Sequence, residues 1–156
     1  MKVRFPAIIS YTDKLPEGTG GCANAFFIRI RTKYRDDEGI HQHELFHVRN
    51  WFANTILSLL ALAALSFLLI PQPWIWATLT LCLFVDPILY LIPRFRQWEE
   101  IAAYKIQLLY PPASSNMAYY AALYAKFISK DYGLNISQEE VLEKLTRRRG
   151  VNWVNN

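Results

Sequence analysis

The sequence predicts a mainly α chain with a small N-terminal β element and a transmembrane helical hairpin set between two polar parts. The histidines of His43-Glu44-Leu45-Phe46-His47 are four residues apart, which places them on one face of a helix about one turn from each other. Two apolar stretches, residues 52–70 and 74–92, flank Pro71-Gln72-Pro73. Each is about long enough to cross a hydrocarbon layer of roughly 30 Å. Before them, residues 25–34 alternate apolar and basic side chains, the pattern of a strand with one wet face.

Composition supports the hairpin. Of the 156 residues, 53% are hydrophobic and 15% aromatic, more than one soluble core of that size needs. The excess is localised: from Trp51 to Ile92 the one charged residue is Asp86, and all seventeen lysines and arginines lie outside. A buried helical hairpin is the alternative, since the first run contains Ala, Ser and Thr. Arg49 precedes the first run, Arg94 and Arg96 follow the second, and the connection carries no charge. The positive-inside rule therefore predicts a two-span integral membrane protein with both termini in the cytoplasm, and Trp74 and Trp76 at the far interface. Met1 to Ser10 lacks the apolar core of a signal peptide. Cys22 and Cys82 fall in unlike surroundings, so no disulfide framework is expected. The net charge of +4 and a pI near 9.1 do not call for nucleic acid, because anionic headgroups account for basic residues beside the spans.

In chain order, Met1 to Gly21 reads as an irregular leader punctuated by Pro6, Pro16, Gly18, Gly20 and Gly21. In the run Ala25 to Tyr34, Phe26, Ile28 and Ile30 face one way and Phe27, Arg29, Arg31 and Lys33 the other. It reads as an edge strand whose backbone can align an extended peptide, or as a plain hairpin strand. Asp36-Asp37-Glu38-Gly39 makes the turn, with carboxylates suited to the positive end of the next helix. That helix is expected from near Ile40 to Ile70, roughly 45 Å at 1.5 Å per residue. His41 points elsewhere around it than His43 and His47 do. In the second run Asp86 falls opposite Ser58, where Ser58, Asn54 or Thr55 can hydrogen-bond its carboxyl, and Pro87 kinks the helix.

A helix from Arg94 to Tyr110 follows, stopped by Pro111-Pro112. Glu100, Ala103, Tyr104 and Gln107 share one of its faces, and the small Ala102 and Ala103 permit close approach. Because a hairpin brings its end back beside its start, Glu100 is expected near His43 and His47; which of Glu99 and Glu100 faces inward stays open. Two C-terminal helices complete the chain, one from about Asn116 to Lys130 and one started by the capping box Ser137-Gln138-Glu139-Glu140. Arg147-Arg148-Arg149 reads as a solvated end or a headgroup contact.

Two imidazoles and a carboxylate are what a catalytic zinc takes from a protein, leaving a fourth position for water whose proton a neighbouring carboxylate removes. Glu44 is that neighbour. The order His43-Glu44-x-x-His47, two apolar runs, then Glu100-Ile101-Ala102-Ala103 resembles the membrane gluzincin metallopeptidases of the heat-shock protease HtpX and CAAX prenyl protease family. The resemblance implies a zincin-like active site divided by the hairpin, with His43, His47 and Glu100 on Zn2+ and Glu44 as general base. Ala23-Asn24-Ala25-Phe26 is similar to the family's substrate-facing Asn-Ala-Phe segment. The likeness covers about residues 22 to 107. It departs at Tyr104, where the family has Asp, and in the absence of further spans; Glu100-Ile101-Ala102-Ala103-Tyr104-Lys105-Ile106-Gln107 resembles small phage and bacterial proteins instead.

The expectation is one minimal metallopeptidase domain over 1–156. It comprises edge strand and motif helix (22–50), transmembrane hairpin (51–93), third-ligand helix (94–112) and C-terminal helical pair (113–156). Its predicted function is zinc-dependent hydrolysis of peptide bonds, in peptides or membrane proteins, at the cytoplasmic membrane face. Tyr104 would orient a histidine or donate to the oxyanion. The alternative is a small non-catalytic membrane protein, a phage or bacterial scaffold or inhibitor that keeps the metal site.

Overall fold

The computed structural model describes residues 6–66, 74–111 and 116–147. The expectations for the Pro71-Gln72-Pro73 connection, for the end of the first apolar run and for Arg148-Arg149 fall outside those residues. The described chain is mainly helical with a three-stranded sheet: β1 (Ile8–Tyr11), β2 (Gly21–Asn24), β3 (Phe27–Ile30), then α1 (Glu38–Ser66), α2 (Trp74–Cys82), α3 (Val85–Tyr90), α4 (Pro93–Gln107), α5 (Met117–Asp131) and α6 (Gln138–Thr146).

The strand order is β1-β3-β2, with β1 parallel and β2 antiparallel to β3. The alternation expected around Ile28 holds: Ile28 and Ile30 are buried at 1% and 0% exposure, while Phe27 and Arg29 face out. Its position in the sheet differs from the expected edge. β1 forms within the leader read as irregular and covers one side of β3, so β3 is central and β2 is an edge. The loop between β2 and β3 is Ala25-Phe26, with Ala25 at φ 53°, in the left-handed region that two-residue hairpins use. Ile28 and Ile30 close on Val48, with Ile40, Leu45 and Phe52 around them, so the sheet rests on the first half of α1.

α1 begins at Glu38, where the Asp37 carboxylate accepts a hydrogen bond from the Ile40 amide at 3.1 Å. It is 29 residues long. Among the described residues, however, no helix is long and apolar enough to cross a membrane. The transmembrane hairpin over 51–93 and the two-span topology with cytoplasmic termini and site are therefore corrected. The first turns of α1 are polar, from Glu38 to Asn50, and its apolar part is diluted by Asn54, Thr55, Ser58 and a series of alanines. The second run is not one helix. α2 ends after nine residues, and the Leu83 and Phe84 amides donate to Thr80 and Leu81 carbonyls in a tight turn before the six residues of α3, which contain Pro87.

The pieces still fold back along α1. The Trp51 indole donates to the Leu83 carbonyl at 3.2 Å, and Asn54 donates to the Asp86 carboxylate at 2.5 Å. Of the three partners expected for Asp86, Asn54 is the one it meets. Pro93 opens α4 at a position that needs no amide donor, and α4 returns against α1. α5 and α6 pair and pack on α4 around Ile101, Leu108, Ala125, Ile128, Val141 and Leu145. Ser137 caps α6 as expected, accepting from the Glu140 amide, and Asn116 caps α5 by accepting from that of Ala118.

Candidate metal centre

α1 and α4 supply the centre. A helix holds residues four apart on one side, so His43 and His47 project together from α1, and Glu100 meets them from α4. Nε2 of His43 and Nε2 of His47 are 3.3 Å apart. Glu100 Oε2 is 3.7 Å from the first, and Oε1 is 3.7 Å from the second. With one ligand atom taken from each residue, the three atoms lie within 4.8 Å of one another, wider than the roughly 3.4 Å that a tetrahedral ion with bonds of about 2.0–2.1 Å sets between its ligands but near enough to converge on one cation. His43 and Glu100 are buried, and Glu100 Oε2 has no hydrogen-bond partner. A buried carboxylate oxygen left unpaired beside two imidazoles is what a cation would satisfy. His43, His47 and Glu100 thus form a group that could hold a metal ion.

Glu99 is not in that triangle. It is buried at 1% exposure behind His47, with Oε1 at 3.7 Å from Nδ1 of His47 and accepting from the Asn50 side chain at 3.0 Å. A carboxylate on the Nδ1 side of His47 leaves Nε2 turned toward Glu100. Sequence reasoning left Glu99 and Glu100 open and overlooked Asn50, although Asn50 is three residues after His47 on the same helix. It also overlooked Tyr90, whose hydroxyl donates to Glu100 Oε1 at 2.5 Å, and Tyr132, whose hydroxyl is 3.3 Å from that of Tyr104. Tyr104 packs the edge of its ring on His43, centroids 4.5 Å apart. His41 lies apart from the group, its ring 6.0 Å from that of Tyr11.

Glu44 follows His43 and is equally buried, each at 6% exposure. β2 runs past it so closely that a Cβ on Gly21 would lie 2.5 Å from Glu44 Oε1, and the carboxylate would have to shift to admit it. Burial pushes the Glu44 carboxyl up to about 7, with Glu100 adding to the rise while His47 and the Ala23 amide oppose it. Burial holds His43 well below its ordinary range, reinforced by the charge of His47. Burial would lower His47 as well, but the Glu99 hydrogen bond and the charges of Glu100, Glu44 and Glu99 outweigh it and raise His47 to about 9. The two imidazoles are therefore unlike: the surroundings favour the charged form of His47 and the neutral form of His43.

A cleft of about 960 Å³ opens on these residues, bounded by Gly20 to Ala25, by α1, by Asp86 and Tyr90, and by α4 and α5. Comparison with protein-family models, with curated proteins and with solved structures gives no match.

Proposed function

We propose that the chain is a zinc-dependent endopeptidase. The observation that supports this most is the meeting of His43, His47 and Glu100, one candidate ligand atom of each within 4.8 Å of the others, with Glu44 beside them and the edge strand β2 alongside. Two imidazoles and one carboxylate are a donor set suited to zinc. Zinc held there supplies Lewis acidity, which polarises a peptide carbonyl and makes water easier to deprotonate.

The chain's own residues do the rest. Glu44, with its carboxyl near 7, takes a proton from the attacking water at neutral pH and passes it to the leaving amine. Glu99 and Asn50 hold His47, and the Tyr104 ring bears on His43, so both histidines keep Nε2 toward Glu100. The outer edge of β2 has no strand partner among the described residues, and its backbone can pair with an extended substrate. The sequence placed this role on the run Ala25 to Tyr34 and, through the family resemblance, on Ala23-Asn24-Ala25-Phe26; the free edge beside Glu44 is that of β2, Gly21–Asn24.

A metal-binding protein without catalysis is the second reading, favoured by the depth of Glu44 and by the pairing of the Tyr104 and Tyr132 hydroxyls with each other. A Glu44→Gln substitution separates the two. With zinc bound and circular dichroism unchanged, peptide cleavage by the variant should fall by roughly 10²–10⁴ relative to wild type. Cleavage that is absent in wild type, or unaffected by the substitution, would support the non-catalytic reading.

A further inference from the structure

The cleft has two unlike walls. Besides the metal-site residues, one stretch of its lining is Gly21 to Asn24 of β2 and another is Tyr120, Leu123, Tyr124 and Phe127 of α5. Tyr120, Leu123, Tyr124 and Phe127 stand at spacings of three, four and seven, so they form one stripe along α5. The adjoining Ala121, Ala125 and Ile128 are fully buried against α6 and α4. Tyr120, Leu123 and Phe127 stay partly exposed and line the cleft. α5 therefore uses one face for the core and offers a second, apolar face to whatever enters.

Charge narrows the occupant. Besides the metal-site carboxylates, the cleft is lined by Glu17, Asp37 and Asp86, and among the described residues no lysine or arginine lines it. Away from the metal centre, an acidic side chain would meet like charge and an apolar wall, with no lysine or arginine among the described lining residues to pair it. An extended segment sends alternate side chains to the same side, so a segment paired with β2 can place one large side chain against α5 while its backbone lies by Glu44.

From these walls we infer that the cleft selects peptides carrying a large apolar side chain, aromatic or leucine-like, next to the scissile bond, and rejects acidic ones. Tyr120, Leu123 and Phe127 form the seat for that side chain. The inference rests on the peptidase reading for its catalytic consequence, but the seat itself is a binding property and can be tested apart from cleavage.

The test uses quenched fluorescent peptides of a glycine-alanine frame with one variable residue, Phe, Leu, Ala, Lys or Asp, and the zinc-loaded full chain. The Phe and Leu peptides should exceed the Ala peptide in kcat/KM by roughly tenfold or more, and the Asp peptide should be slowest. Leu123→Asp should move the preference from Phe to Lys, a gain that misfolding cannot produce. Equal rates for all five peptides, or a Leu123→Asp variant with the wild-type ranking, would overturn the inference and leave the peptidase reading standing. Fluorescence polarisation with zinc-loaded Glu44→Gln covers the opposite case. Selective binding of the Phe peptide without cleavage by wild type would uphold the seat while the peptidase reading fails. Neither cleavage nor selective binding would overturn both.

Discussion

His47 is where proton and metal compete. In the metal-free protein its pKa is raised to about 9, which favours a proton on the His47 ring at neutral pH, and its Nε2 lies 3.3 Å from Nε2 of His43. A cation must displace that proton, because only the neutral imidazole ligates. Zinc affinity should therefore rise about tenfold per pH unit as pH climbs toward 9, read by competition with a chelator. Stability of the metal-free protein should run the other way. A histidine whose folded pKa exceeds its unfolded value adds stability that is complete below about 6.5 and lost as pH rises through about 9. The shift from 6.5 to about 9 corresponds to on the order of 3 kcal/mol. Denaturant unfolding of the metal-free chain at pH 6.5 and pH 9.5 checks this; a stability that holds or rises across the window would contradict the proton's location on His47.

At the scale of elements, the centre is a product of α1 lying against α4 and of β2 lying against both Glu44 and the cleft. Gly21→Ala tests the second contact. Its Cβ would fall 2.5 Å from Glu44 Oε1, and the carboxylate must move aside. Cleavage should drop by about tenfold or more while zinc content stays that of wild type, since a misplaced catalytic group loses rate without touching the ligands. Unchanged cleavage would mean that β2 does not set the position of Glu44. The motif helix and the Glu100 helix were legible because four-residue spacing and a face of small residues are local properties. β3's central place was not, since it depends on β1, four residues near two prolines whose partner is chosen by tertiary packing. The apolar content of 74–92 was legible, but its division into α2 and α3 was not. Hydropathy averages over the turn at Leu83-Phe84 and over Pro87.

At the scale of the whole molecule, the return of α4 against α1 brings the candidate ligands together. Any hairpin brings its end back to its start, so the expectation that Glu100 would reach His43 and His47 was right in geometry, although no described helix is fit to cross a membrane. Glu99, Asn50, Tyr90 and Tyr132 were not legible, because none carries a motif and each acts only through a neighbour that folding supplies. The proposed metal would bridge α1 and α4, two helices that also pack directly on each other. Metal analysis of purified chain tests that directly. It should find about one zinc per chain in wild type, and essentially none after His43→Ala and His47→Ala together, with helical content retained at pH 7. Much less than one zinc in the wild type, or zinc kept by the double variant, would contradict it.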